Sequence, residues 1–472
     1  MPLRELTYGF ERWVFCRASA LLLLGMVIGI ASYSAVAQAQ DVFFGTIDVD
    51  LNSGADGDDR PYSLIGWITE KVSYGLEDPG PLFSRQEKEL NRVETSLFAQ
   101  FDTRIGRSIN LRISGKVYHD AIYQLRDDIN FSEDERDKFR NRFELKDFYL
   151  EGQTDSGLYL KIGEQILAWG MAEYLRVTDL INTEDQYTFG QQDLEDIRLQ
   201  VPALLASYSL GGWVLDGVVT YDAGRNDIGP EGDEFDQFIS LRDLEAGIWR
   251  HDPQRKAEVF VRASSHYSRG DLQFVAAEFN DNALSVDQML ARESMGPLLS
   301  FTQNRMRAIG FAANWTQNSW LFFGELGAHF DKAVRPGRDS IFMRDDGWDE
   351  KDQVLSVLGV EYSGFRNLLL TFELDNTHSR GHDEFMQADR DQSGIGARLY
   401  WTAINDRIEV LAVWNQPDDS SRFVRLSVDY HWTDNLEIGM LWVDYHSESD
   451  SILYEFRNND VFQLQLRYNF QY

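Results

Sequence analysis

The sequence predicts an all-β protein: a single closed antiparallel transmembrane β-barrel of about 18 strands, with a range of about 16–20. Three observations predict it. Polar and apolar residues alternate with period two nearly throughout the chain. No run of about 18 apolar residues, the least that spans a bilayer as a helix, follows the N-terminal region, and mean hydropathy is −0.39. The chain opens with the pattern of an export signal.

In that opening, Arg4, Arg12 and Arg17 precede an apolar stretch at 18–30, and Ala37-Gln38-Ala39 has the small-x-small form read by signal peptidase. Residues 1–39 are therefore expected to be a cleaved signal peptide and 40–472 the barrel. Cys16, the one cysteine, lies inside the signal and before its apolar run, where a lipoprotein cysteine would follow it. The mature chain then has no disulfide in an oxidising compartment, and a closed ladder of strands must supply its stability. Removing three Arg and two Glu takes the formal charge from −32 to −33. So acidic a chain is a poor partner for nucleic acid, whose phosphates call for Lys and Arg.

The strands follow in order. Ile109, Leu111, Ile113, Gly115 and Val117 alternate with Asn110, Arg112, Ser114, Lys116 and Tyr118. Trp320, Phe322, Gly324, Leu326, Ala328 and Phe330 form an apolar face backed by Glu325, His329 and Asp331. Val424, Leu426, Val428, Tyr430 and Trp432 oppose Arg425, Ser427, Asp429 and His431. The last segment sets Phe462, Leu464, Leu466, Tyr468, Phe470 and Tyr472 against Val461, Gln463, Gln465, Arg467, Asn469 and Gln471. Alternation alone does not say which face meets solvent. The export signal and the terminal aromatic strand point to lipid outside and a wet lumen inside. The strand ending at Tyr472 is expected to engage the barrel-assembly machinery, and the outer surface to meet outer-membrane lipid and lipopolysaccharide. Trp67, Tyr74, Tyr123, Trp213, Trp249, Trp315, Trp401, Tyr430, Trp432, Trp442 and Tyr445 suit interfacial girdles.

From about residue 62 the chain holds 18 or 19 candidate strands, residues 42–51 would add one, and the even number preferred by such barrels selects 18. Short turns are expected at 155–157, 209–212, 405–406 and 433–435. Longer polar loops are expected near 124–141, 224–239, 280–302, 332–352, 379–392 and 446–459. No composition break marks a second domain.

One segment, 169–202, does not alternate. It is far longer than an ordinary strand connection, yet Leu175, Val177, Leu180, Ile181, Ile197 and Leu199 need burial. It is expected to fold into the barrel and narrow the pore, with Arg176, Asp179, Asp185, Glu195, Asp196 and Arg198 as its polar groups. Opposed basic and acidic groups across a constriction order water and sort ions. The alternative is a structural loop with internal salt bridges. Lumen selectivity would come from Lys116, Lys161, Arg262, Arg398, Arg425, Asp429 and Arg467, all placed by alternation.

Gly163-Glu164-Gln165, Trp169-Gly170, Arg176, Asp179, Asn182, Asp185 and Arg198…Pro202 resemble the signature of an uncharacterised family of large bacterial outer-membrane β-barrels, distantly similar to the alginate-export porins. The resemblance covers roughly residues 145–225. It departs at Glu164, where the family has Arg, and at Thr183, where it has Pro. It implies the barrel and the outer membrane, and more loosely transport, without a substrate.

Other patterns carry less. The acidic stretch 48–59 lacks the glycine spacing of an EF-hand loop, since Ser53 stands at the sixth position. The eight histidines show no zinc spacing. No metal site and no cofactor are expected. His266-Tyr267-Ser268 matches a short pattern of outer-membrane lipid hydrolases, but an enzyme is not the expected reading. The expected function is a porin-like outer-membrane channel passing small polar or amphipathic solutes, including service to an export pathway through a periplasmic partner. The alternative is a plugged structural or surface-binding barrel.

Overall fold

The computed structural model describes residues 62–106, 108–192, 196–222, 224–243, 247–250, 256–290, 298–337, 349–448, 451 and 453–472. The expected signal peptide, the acidic stretch 48–59 and Glu195 lie outside the described residues.

An 18-stranded sheet closes on itself. Its strands are β1 (Tyr62–Gly75), β2 (Leu90–Ile105), β3 (Ile109–Asp120), β4 (Asn141–Gln153), β5 (Tyr159–Gln165), β6 (Val201–Leu210), β7 (Trp213–Thr220), β8 (Glu258–Tyr267) and β9 (Gly270–Asn280). They continue as β10 (Arg305–Gln317), β11 (Trp320–Val334), β12 (Asp349–Phe365), β13 (Leu368–Ser379), β14 (Asp391–Ala403), β15 (Ile408–Asp418), β16 (Ser421–His431), β17 (Leu436–Ser447) and β18 (Val461–Gln471). Each strand pairs antiparallel with the next. β18 returns to β1, with Ile65 opposite Gln471 and Gly75 opposite Val461. Closure needs no strand from 42–51.

Period two decides which face each residue takes. On β18, Phe462, Leu464 and Leu466 are exposed while Val461 and Gln463 are buried. On β3, Ile109, Ile113 and Val117 are exposed while Arg112, Ser114 and Lys116 are buried. The apolar face is thus the outer one, all round. Leu358 is 69% exposed and Glu373, on the inner face of the adjacent strand, 0%. A contiguous outer belt of Leu, Ile and Phe is the reverse of a water-soluble protein and matches a lipid-facing surface.

The longer connections all fall at one end and every short turn but one, 419–420 between β15 and β16, at the other. At the short end Gly211 and Gly212 take φ of 58° and 87°, and Asn405 and Asp406 take 57° and 60°. Tight hairpins that match strand twist require positive φ at both central residues, which glycine and asparagine tolerate. Trp213, Trp315, Trp320, Trp401 and Trp432 gather near this end on the outer face. Trp67, Tyr123 and Tyr445 do not join the girdle: Trp67 stacks on Phe98, Tyr123 lines a cavity, and Tyr445 is buried inside. Their strand parity or loop position turns them inward.

Two expected solvated loops are instead packed. Within 280–302, Ser285–Leu290 and Leu298–Thr302 form a three-stranded sheet with Gly247–Arg250. In 224–239, Phe235, Phe238 and Ile239 are buried. Phe238 packs with Val286, Leu299 and Phe301. The acidic composition of these loops conceals a few aromatic anchors that need cover. The 332–352 loop is also shorter than expected, because β11 runs to Val334 and β12 starts at Asp349.

Candidate pore constriction

Residues 166–200, between β5 and β6, leave the barrel wall and return to it. The base is closed by amides. Gln165 Nε2 donates to the Ala203 carbonyl at 2.8 Å. Asn182 accepts from the Leu167 N–H at 2.8 Å and donates to the Leu199 carbonyl at 2.6 Å, tying the outgoing and returning limbs together. Leu167, Trp169, Leu180 and Ile181 pack on Phe260, Val275, Phe279 and Met306, which β8–β10 turn inward. Burial of this apolar set holds the segment inside the barrel.

Polar anchors carry it around the inner wall. Glu325 of β11 accepts from the N–H groups of Met171 (2.5 Å), Ala172 (2.9 Å) and Thr178 (3.1 Å), and from the Thr178 hydroxyl (2.7 Å). A buried carboxylate needs such a full set of donors. Glu373 of β13 accepts from the Glu173 N–H at 3.2 Å, and Arg398 of β14 pairs with the Glu173 carboxylate. Arg425 of β16 donates to the carbonyls of Gly190 and Gln192, and the Tyr445 hydroxyl of β17 donates to that of Phe189. On the return, Asp196 pairs with Lys116 of β3 at 2.6 Å and Lys146 of β4 at 3.0 Å. Asp185 lies 3.6 Å from Arg142 of β4.

Arg176, Asp179 and Arg198 do not face one another across a gap. They form one cluster within the segment. Arg198 grips Asp179 through Nε at 2.9 Å and Nη2 at 2.8 Å. Arg176 lies 3.2 Å from Asp179 and 3.0 Å from Glu184. Burial would raise the Asp179 carboxyl, but Arg176 and Arg198 outweigh it and hold it below its usual range. Asp196 is likewise buried, and Lys116 and Lys146 hold it far below. Asp185 and Glu173 go the other way. Burial pushes Asp185 up to about 6 against the pull of Arg142, and Glu173 up to about 7 against that of Arg398.

All the lumen candidates have inward parity. Lys116, Arg398 and Arg425 serve as anchors for the segment. Arg262 pairs with Asp216 at 2.7 Å and lies 4.8 Å from the Trp169 ring. The Lys161 ammonium sits 3.8 Å from the Tyr149 ring, and Arg467 sits 5.2 Å from the Trp67 ring. Asp429 crowds Gly439, where a Cβ would come within 2.5 Å of its Oδ1. Sequence reasoning missed Glu173, Glu325, Glu373, Arg142 and Lys146. The signal was present in the acidic residues that alternation puts on the inner faces of β11 and β13, Glu325 and Glu373 among them.

It also missed a second inward segment. Residues 227–228 pair in parallel with 185–186. Glu234 binds Arg85 at 2.5 Å, and its carbonyl accepts from Asn459 at 2.6 Å. Phe235 lies 5.4 Å from Phe456 and 6.4 Å from Tyr445, in a cluster with Val413, Leu441 and Val443 of the inner wall. At the opposite end, His266 bonds Asp271 at 2.5 Å, while Ser268 sits in the β8–β9 turn.

The profile of a family described as "Protein of unknown function (DUF1302)" matches residues 18–248. The chain is similar to that family over just under half of its length. Trp169, Asp179, Asn182, Asp185 and Arg198 lie within the match, and they are the residues that frame the inserted segment. No curated protein matches the sequence. Among solved structures, OccAB3 of Acinetobacter baumannii aligns over 87% of this chain and 99% of its own, at 10% identity and a TM-score of 0.50. OccAB2 of the same organism aligns over 87% and 98% at 9% identity and 0.49. OpdK of Pseudomonas aeruginosa, solved with vanillate, aligns over 87% and 99% at 9% identity and 0.47. At 10% identity the likeness to OccAB3 speaks for the fold alone, a closed 18-stranded antiparallel barrel.

Proposed function

We propose that the chain is a porin-like channel of the bacterial outer membrane, exported with residues 1–39 removed, and that segment 166–200 narrows its lumen for small polar or amphipathic solutes. The observation that carries this reading is the segment itself, laid along the inner wall and anchored from β3 and β4 round to β17. A barrel of 18 strands is wide enough to hold an aqueous channel unless something fills it. Here one segment partly fills it, in a lumen lined by Lys, Arg, Asp and Glu. Charges fixed along such a passage sort permeants by sign and size.

Folding the segment inward also explains the outer surface. The apolar belt meets lipid and most ionisable residues of the strands turn to the lumen or the rims, where water or a partner satisfies them. Glu70, outward on β1, is an exception and accepts from the Thr95 hydroxyl at 2.5 Å. Passage needs no reaction at the site.

A second reading, a plugged structural barrel, is favoured by the second inward segment, which sets Phe235 against the inner wall. Planar-bilayer recording of the refolded chain separates the two. A channel gives steady open steps, and Asp196→Ala, which unties the segment from β3 and β4, changes the step size or the ion preference. A folded barrel that never conducts, in both wild type and Asp196→Ala, establishes the plug. Steps identical in both proteins remove segment 166–200 from the permeation path.

A further inference from the structure

A cavity of about 80 Å³ lies at the long-loop end. It is bounded by the inner faces of β1–β4, residues 185–192 and Asp196 of the inserted segment, and the connections around 123–139 and 233–234. Among the described residues, its lining holds seven carboxylates and five basic side chains. Three of the basic groups are committed: Arg85 to Glu234 at 2.5 Å, Lys116 to Asp196 at 2.6 Å, and Arg142 to Glu144 at 2.5 Å. Two carboxylates are met by uncharged donors. Glu135 accepts from the Ser84 hydroxyl at 2.5 Å and the Ser132 N–H at 2.6 Å, and Asp233 accepts from the Phe235 N–H at 2.9 Å. Such bonds satisfy lone pairs and leave the net charge of the lining negative. Burial, then the neighbouring Glu234 and Glu135, push Asp233 well above its usual range against the pull of Arg92, so its charge is restored only when a further cation sits beside it and displaces the proton. Burial raises Glu135 as well.

The same lining is aromatic. Tyr123 and Phe131 meet at 4.6 Å, tilted by 57°, and Phe139 stands edge-on to Tyr187 at 5.3 Å. The rings of Tyr118 and Tyr187 already take a cation, the Arg142 guanidinium, at 4.4 and 5.2 Å. A negative, ring-lined and partly desolvated recess is the setting in which cation–π attraction is strongest.

We propose that this cavity binds a small organic cation, an ammonium group on an apolar or aromatic body, as the solute taken in from the long-loop side. This rests on the channel reading. The ammonium sits between Glu135 and Asp233, and the body lies on Tyr123 and Phe131. The volume corresponds to roughly six water-sized groups, the scale of a benzylammonium or choline ion. A carboxylate of the same size meets the wrong sign of charge.

The test is calorimetric titration of the chain refolded in detergent, with benzylammonium and with benzoate as its anionic counterpart. Benzylammonium is expected to bind at least about tenfold more tightly, a difference of about 1.4 kcal/mol. Asp233→Asn is expected to weaken it about tenfold and Tyr123→Leu about threefold or more, within the usual range of a cation–π contact. Both substitutions lie outside the barrel strands, Tyr123 in the helical turn Ile122–Leu125, and far-UV circular dichroism checks that the barrel persists. Benzoate binding as tightly, no binding of either probe, or an unchanged affinity in Asp233→Asn overturns the proposal. Calorimetry needs no current. A barrel that binds benzylammonium but never conducts keeps the site and loses the channel, and one that conducts without binding loses the site alone.

Discussion

Glu173 is where single-residue chemistry has the clearest consequence. Its N–H is bound by Glu373 and its carboxylate by Arg398, so it holds the outgoing limb of the inserted segment against β13 and β14. Burial nevertheless places its pKa at about 7, above the ordinary 4.5. Between those values the folded chain keeps a proton that the unfolded chain releases. The contribution is therefore fully present below pH 4.5 and is lost as pH rises through 7, by about 3 kcal/mol for this group alone. Urea unfolding in lipid at pH 5 and pH 7.5 measures it. Wild type should lose stability between the two relative to Glu173→Gln, which cannot titrate. Equal pH slopes in the two proteins would show that Glu173 titrates normally. Asp179 and Asp196 have the opposite sign, since their cations favour the ionised form and their contribution is lost only as pH falls below the ordinary carboxylate range. That both belong to the segment which breaks the alternation was legible in the sequence. Their partners were not, because Asp196 meets Lys116 across 80 residues of chain, and nothing in local spacing records that.

At the scale of elements, the inserted segment was legible through its broken periodicity and its apolar residues, and Val177, Leu180 and Ile181 are indeed buried. What sequence could not show is how the wall accommodates it. A Cβ on Gly396 would fall 2.0 Å from the Tyr174 ring, one on Gly327 2.7 Å from Val177 Cγ1, and one on Gly310 2.8 Å from Thr178 Cγ2. Glycine weakens a strand interior and often marks a close approach of another element. Here β10, β11 and β14 each leave such a gap facing the segment. Gly327→Val should fill one and loosen residues 172–178 at a cost of about 1–3 kcal/mol, while the barrel ladder stays intact. Limited proteolysis of the folded protein would then cut the segment faster, and conductance steps would grow noisier. A segment as resistant as wild type would mean that the gap is not where it is held. The segment at 227–239 was illegible for a different reason. Its three buried apolar anchors, Phe235, Phe238 and Ile239, sit among Asp, Glu, Gly and Gln with no helical or strand period, so composition reads it as solvated.

For the whole molecule, alternation gave the two faces of every strand, and closure of β18 on β1 turns that local pattern into an inside and an outside. The prediction at this scale concerns which is which. Leu358, 69% exposed on β12, has outward parity and an outward neighbour in Leu374 on β13. Gln465 on β18 has inward parity, between the inward-facing Gln463 and Arg467. If the outer belt meets lipid, a charge at Leu358 must be buried in hydrocarbon, at a cost of about 2–4 kcal/mol near the midplane. The same charge at Gln465 enters a wet lumen that already holds Lys and Arg. Leu358→Arg should therefore lower the urea stability of the lipid-folded barrel by about 2–4 kcal/mol, and Gln465→Arg by less than about 1 kcal/mol. In detergent micelles, which deform around a charge, the gap between the two should narrow. A larger penalty at Gln465 would place the lipid on the other face. Equal penalties would mean that neither side offers the charge better solvation, and that the lumen is dry.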